Sequence, residues 1–388
     1  MSPQLLKSTS KLVKYVYSVL GIVQFSYDKT PAKTKFAKIV PRLWCLLSYV
    51  YFINICILYN KSKHDGKIMT YVQFFVDQGS VFMMIVLFIM LFKRSDKIKM
   101  LLICIDDLNL SLNCPVATRK RILLRITLVV SVLPVIICSS FQEERDFYHI
   151  FWYYCCVVIT FDTIFFNDIF DCIGDKFAAA NEKLEIITKR DKSYIHLLQK
   201  FSHFHYELVR LTVEIKKQFE ITTIATMIHS FLFMVDAIYT VTVLVAQSRH
   251  LTLRFVANFS HLVFSLCHLC VLIAKISQTQ ELANTGVLHL HEIWNKHVSK
   301  KEMTREFRHL ELLSIRMLNT QMEFSIGGFF NLDWTFLQTV NMWFEWRKKN
   351  SFLCFSDGCC FYHLLAYSRA VSNLVHLIRT IYILRLET

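Results

Sequence analysis

Six stretches of this chain are apolar for roughly the 20 residues that a helix needs to cross a bilayer, and no other feature restricts its folding as severely. They fall at Leu43–Tyr59, Gln73–Phe92, Ile122–Ser139, Tyr148–Phe166, Ile221–Ala246 and Phe255–Ala274. A seventh, Phe329–Trp346, is shorter and weaker. Backbone amides in hydrocarbon must bond within their own segment, so each stretch has to be a helix or part of a closed barrel. Only 8 glycines and 5 prolines occur in 388 residues, which favours long uninterrupted helices over strands and turns. Charged residues make up 19% of the chain, against about a quarter in soluble domains, and the mean hydropathy is +0.38. The expectation is an all-α membrane protein with seven transmembrane helices. The apolar stretch Leu12–Phe25 contains Lys14 and lacks a small-residue cleavage site, so it reads as an amphipathic lead-in and not as a signal peptide.

Basic residues set the orientation. The connections 1–42, 93–121, 171–220 and 275–328 carry 31 Lys and Arg together, whereas 60–72, 141–147 and 247–254 carry 6. The N-terminus is therefore expected in the cytoplasm and the C-terminal tail outside. This asymmetry accounts for most of the formal charge of +14, so no nucleic-acid partner is implied. Seven spans in this orientation are the reverse of a G-protein-coupled receptor. No proline follows Pro134, which removes the Asn-Pro-x-x-Tyr switch of such receptors, and the short outer connections contain no cysteine for an outer disulfide. Scarce Gly and Pro also argue against the broken helices of transporters.

Two cytoplasmic connections are too long and too regular to be simple loops. Leu197, Phe201, Phe204, Leu208, Leu211, Ile215 and Phe219 recur at steps of four and three, and so do Met303, Phe307, Leu310, Leu313 and Met317. Each stripe predicts a helix below the membrane, packed either within its own subunit or against a neighbour. The 13 cysteines lack the spacing of a disulfide framework. Cys267 and Cys270 flank His268 by one turn, but with no second ligand pair they read as small packing residues, and no metal or other cofactor is expected. His203 and His205 point to different sides of a helix. Nothing suggests catalysis. Asn60-Lys61-Ser62 matches a glycosylation triplet close to the membrane.

Ionisable and amphipathic groups within spans mark candidate binding positions. Asp77 lies near the outer end of the second span, Trp152 and Tyr153 open the fourth, Asp236 and Tyr239 lie in the outer half of the fifth, and His261 lies in the outer part of the sixth. Together they form a candidate small-molecule site of aromatic walls and few polar groups. The alternatives are interfacial belt positions for Trp152 and Tyr153 and ordinary packing for His261. Asp162, in the inner half of the fourth span, reads as a structural hydrogen-bonding group.

The run HLELLSIRMLNTQMEFSIGGFFNLDWTFLQTV, His309 to Val340, resembles the run-in to the final helix of insect gustatory receptors. Gly328, Phe329, Phe330, Leu332 and Asp333 stand at its most typical positions, with Gln338 further along the same segment. The resemblance implies a chemoreceptor domain over 1–340 with long cytoplasmic extensions of helices 4 to 7. It also implies a homo- or hetero-tetramer with related subunits, in which helix 7 lines a cation pore opened by a small-molecule tastant in the plasma membrane of sensory neurons. The family's closing motif, Thr-Tyr then five apolar residues and Gln-Phe, is missing. Trp346, Arg347, Lys348, Lys349 and Asn350 stand there instead, and 341–388 forms an atypical end of helix 7 and tail.

Overall fold

The computed structural model describes residues 16, 17, 20, 22, isolated positions from 39 to 57, and 68–108, 125–134, 137, 147–188, 195–246, 253–298, 305–319, 322–326, 330 and 331. Within some helices only the backbone is described, notably at 68–77, 147–153 and 236–246. All described residues from 39 to 57 are helical. The longer helices are α1 (Ile68–Asp107), α2 (Arg125–Pro134), α3 (Phe147–Thr188), α4 (Ile195–Ala246), α5 (Leu253–Val298) and α6 (Arg305–Leu318). The described residues of the first six apolar stretches are thus all helical. Among the described residues, Ser260–Asn295 in α5 has by itself the length and apolarity of a membrane-crossing helix.

Contacts along the helices establish their relative directions. Gly79 of α1 meets Leu232 of α4, while Arg94, further along α1, meets Thr222, earlier in α4. These helices are antiparallel. From α3 to α5 the contacts advance together, Thr160 with His268, Asp171 with Lys275 and Asn181 with Leu282, so those two are parallel. His205 of α4 reaches Ala283 of α5, and His229 lies near His261, another antiparallel pair. The second, fourth and sixth spans (α1, α3 and α5) therefore run one way and the fifth (α4) the other, as in a chain threading back and forth through a bilayer.

The helix α4 is 52 residues long and changes character along its length. In its first half the stripe Phe201, Phe204, Leu208, Leu211, Ile215 and Phe219 is buried, while Arg210 and Lys217 face outward. Leu197, at the start of the stripe, is 45% exposed. After Glu220 the outward face becomes apolar, although Ala225 and Met227 stay buried. Thr222, Thr223, Thr226, His229 and Ser230 are buried, whereas Ile221, Ile228 and Phe231 are exposed. Apolar side chains turned outward beside buried hydroxyls are what a lipid environment selects. Phe82 and Ile89 of α1 and Ile126, Val129, Val130 and Leu133 of α2 are turned outward in the same way.

The expected helical extensions below the membrane are present: within 171–220, α3 runs on to Thr188 and α4 begins at Ile195. Near the N-terminus, Tyr17 and Ile22 are almost wholly buried, and Tyr17 packs edge-on against Phe161 and Phe165. One expectation needs correction. Phe330, taken as the second residue of the seventh helix, belongs to a strand. Ser325–Ile326 (β1) pairs antiparallel with Phe330–Asn331 (β2), Ser325 opposite Asn331 and Ile326 opposite Phe330. The sequence between the strands is Gly327-Gly328-Phe329, and a paired glycine favours a tight reversal over helix propagation. The remainder of the seventh span, from 332, and the tail lie outside the described residues.

Of the second stripe, Met317 of α6 is buried, while its neighbours Leu312 and Ile315 are exposed. α6 packs against both α4 and α5, where His291 Nδ1 and Ser314 Oγ are 3.0 Å apart and Arg316 stacks over the Tyr206 ring at 4.9 Å.

Candidate functional site

The outer candidate positions are distributed over four helices. Asp77 is on α1, Trp152 and Tyr153 on α3, Asp236 and Tyr239 on α4, and His261 on α5. Their side chains, except His261, lie outside the description, so what the structure supplies is backbone placement. Asp77 precedes Gly79 by two residues, and Asp236 follows Leu232 by four. A Cβ built at Gly79 would lie 2.9 Å from Leu232 Cδ1, so α1 and α4 cross closely there. Because the helices are antiparallel, both aspartates lie on the same, outer side of that crossing. His261 is partly buried beside His229 of α4. Of the positions assigned to the last span, Phe330 lies in β2, and Gly328, Phe329, Leu332, Asp333 and Gln338 lie outside the described residues.

Deeper in the bundle, α3 joins its neighbours through polar contacts that begin neutral and become ionic. Thr160 donates to Cys156 O at 2.8 Å, and its Oγ1 is 3.1 Å from His268 Nε2, while His268 Nδ1 donates to Phe264 O at 2.8 Å. Both ring nitrogens of His268 thus have hydrogen-bond partners within the bundle. Among the described residues no group of three or more potential metal ligands converges.

Two residues further along α3, Asp162 forms a buried ion pair with Arg94 of α1. The guanidinium also donates to Thr222 Oγ1 at 2.5 Å and lies over the Phe219 ring, 4.2 Å from its centroid. Asp168 accepts two hydrogen bonds from Arg125 of α2, at 2.7 and 3.1 Å, and one from Tyr17 Oη at 3.2 Å. Asp171 pairs with Lys275 of α5, whose ammonium also donates to Gln278 Oε1 at 2.8 Å. Three carboxylates on one helix therefore take one cation from each of three others.

Asp162 is the structural group the sequence suggested. Arg94, Arg125, Asp168, Asp171 and Lys275 are the ion-pair residues that sequence reasoning missed. Arg94 and Lys275 were counted as loop charges because they stand just past the apolar windows, yet Arg94 is 1% exposed. The available signal was acids on α3 spaced by six and three, opposite a basic residue at the inner end of each neighbouring span. Removing one member of such a pair leaves a buried charge unpaired, at a cost of about 3–5 kcal/mol.

Below the ionic layer, amide and imidazole groups fasten the cytoplasmic helices. Asn181 donates to Leu282 O at 2.8 Å, and His205 Nε2 donates to Ala283 O at 2.9 Å. Burial pushes the His205 pKa below its usual range, partly opposed by that hydrogen bond. His203, two residues away, is exposed, as its spacing required. Lys216, beside Phe324 and Ser325, is also pushed down by burial, against the attraction of Glu220 and Glu323.

This architecture can be compared with known proteins. The model of the family described as 7tm Chemosensory receptor matches residues 11–340. The chain belongs to that family. The receptor's fold is similar to that of the insect olfactory receptor OR5 from Machilis hrabei, at a TM-score of 0.64 and 11% identity, covering 93% of this chain and 96% of that one. The same receptor in complex with eugenol matches at a TM-score of 0.62 and 12% identity, covering 92% and 98%. No curated protein matches the chain. The receptor is thus an all-α membrane protein of the seven-helix chemoreceptor fold, from a family of receptors and not of enzymes.

Proposed function

We propose that this receptor is a gustatory-type subunit of a tastant-gated, non-selective cation channel, assembled as a homo- or hetero-tetramer in the plasma membrane of sensory neurons. The observation that carries the reading is the family match over residues 11–340, which includes the gustatory-like run His309–Val340 leading into the last span. A small-molecule ligand is supported by the similar Machilis hrabei receptor, whose structure has been solved in complex with eugenol. Asp77, Trp152, Tyr153, Asp236, Tyr239 and His261 are the positions proposed to receive it, and a ligand acts by binding the open state more tightly than the closed one. Gly328, Phe329, Phe330, Leu332, Asp333 and Gln338 are assigned to the approach and wall of the pore.

Recording from cells that express the chain, with a tastant panel and G-protein signalling blocked, tests the reading. Persistent ligand-evoked cation current supports it, whereas a response abolished by the block identifies a metabotropic receptor. Asp236→Asn should shift ligand sensitivity at unchanged surface expression, and equal loss of expression and response would make Asp236 structural.

A second reading, a non-conducting form, is favoured by the tail. The family match ends at residue 340, and Arg347, Lys348 and Lys349 then follow where the family's closing motif is expected. A ring of such residues at the outer mouth of a fourfold pore repels cations. The proposal is that 341–388 comes from an alternative or misassigned exon. Transcripts that all encode this tail, together with normal cation current, would remove it.

A further inference from the structure

The segment Met322–Ile326, which follows α6 on the way to the last span, is attached to the bundle by side chains from three helices. Asn284 of α5 clips the Met322 backbone twice: its Oδ1 accepts from Met322 N–H at 3.0 Å and its Nδ2 donates to Met322 O at 3.3 Å. Lys216 of α4 reaches Ser325 Oγ at 3.5 Å and lies 5.6 Å from the centroid of the Phe324 ring. Phe324 itself is buried, edge-on to Phe170 of α3 at 5.4 Å. From there the aromatic contacts are continuous. Phe170 stacks on Phe166 at 4.3 Å, Phe166 meets Phe219 of α4 edge-on at 5.1 Å, and Phe219 carries the Arg94 guanidinium on its face. Phe166, Phe219 and Phe324 also line a single cavity with Lys216, Thr223 and Ile276.

We propose that Met322–Ile326 is a coupling strap, in which Phe324 reads the packing of α3 against α4, set by Arg94, Asp162 and Thr222, and passes a change there toward the last span. The path consists of rigid rings in direct contact, so a tilt of Phe219 on its cationic neighbour has to be accommodated at Phe324. Asn284 ties the strap to α5 through the Met322 backbone, so a shift of Phe324 loosens the Met322 N–H bond to Asn284 Oδ1. A path of contacts becomes a coupling only when a change at one end is read at the other. The consequence for gating rests on the channel reading above, whereas the mechanical coupling does not.

Hydrogen exchange at the Met322 amide, measured on the full chain in lipid nanodiscs, tests the coupling directly. Thr222→Val removes one acceptor of Arg94 and keeps the side-chain shape. It should speed Met322 exchange by about fivefold or more, the lower range of ordinary coupling between sites. Thr222→Ser, which keeps the hydroxyl, should stay near the wild-type rate. In a Phe219→Leu background the effect of Thr222→Val should largely vanish. If Thr222→Val fails to fold, Arg94→Lys takes its place. An unchanged Met322 rate in a folded variant, or an equal effect with and without the Phe219 ring, overturns the proposal. Cation conductance of the wild type is recorded alongside. Its absence would remove the channel reading and leave the exchange result valid, while uncoupled exchange in a conducting receptor would remove the strap alone.

Discussion

The two halves of α4 use opposite rules for the same helix. From Phe201 to Phe219 the apolar stripe is buried and charges face out, as in a soluble bundle. From Ile221 to Phe231 the hydroxyls and His229 are buried while isoleucine and phenylalanine face out. In water, apolar area is driven inward. In lipid that drive is absent between helices, and packing and hydrogen bonding hold the interface. The inversion near Glu220 therefore marks the membrane boundary on this helix. Arg94 contacts Phe219 on one side of that boundary and Thr222 on the other, so the ionic layer sits at the level where the rules change.

The strongest way to break this comparison is to leave one charge of that layer unpaired. Asp162→Ala should cost about 3–5 kcal/mol, read as loss of folded receptor in a detergent thermal-unfolding assay. Joint replacement by apolar residues, Arg94→Met with Asp162→Leu, should recover most of it. Failure of the pair to recover would assign Arg94 or Asp162 a role beyond mutual neutralisation.

A charge on each outward face compares the two halves directly. Ile228→Asp, on the lipid side, should cost about 2.5–3.5 kcal/mol by insertion scales. His203→Asp, on the exposed side of the cytoplasmic half, should stay within about 0.5 kcal/mol. Similar losses at both positions, by surface expression and thermal stability, would mean that the boundary is misplaced.

Close backbone approach gives a smaller contrast. A Cβ at Gly286 would collide with Asn181 Oδ1, whose amide is fixed by its bond to Leu282 O, whereas a Cβ at Gly79 meets only the end of a leucine side chain. Gly286→Ala should therefore destabilise by about 1–3 kcal/mol, and Gly79→Ala by less. Adding Asn181→Ala should relieve part of the Gly286→Ala cost, and strictly additive losses would exclude the collision as its cause.

The smallest effect concerns cytoplasmic pH. The His205 pKa is depressed in the folded state, so its neutral form contributes stability that is complete above the unfolded value of 6.5 and falls as pH drops through the folded value. Thermal midpoints should be level above that pH and decline below it. His205→Gln, which retains a donor for Ala283 O, should flatten the decline, and an unchanged slope would place the titrating group elsewhere.

The sequence by itself determined the spans, the alternation of their direction and the helix that carries α4 out of the membrane, because these follow from local length, periodicity and the cost of exposing a backbone amide to lipid. Asp162 was legible as a structural group for the same reason, a carboxylate inside an apolar stretch. Its partner was not. Arg94 lies 68 positions away in the chain and just past an apolar window, where sequence alone assigns it to water. Only the packing of α1 on α4, and of both on α3, places its guanidinium between Asp162, Thr222 and Phe219. The docking of Phe324 was hidden too, since a GFF run read as the opening of a helix gives no sign that Phe330 pairs with Ile326 behind a segment gripped by Asn284 and Lys216. Propensity and hydropathy are properties of neighbours in sequence, whereas an ion pair or an aromatic stack depends on which faces the folded helices bring together.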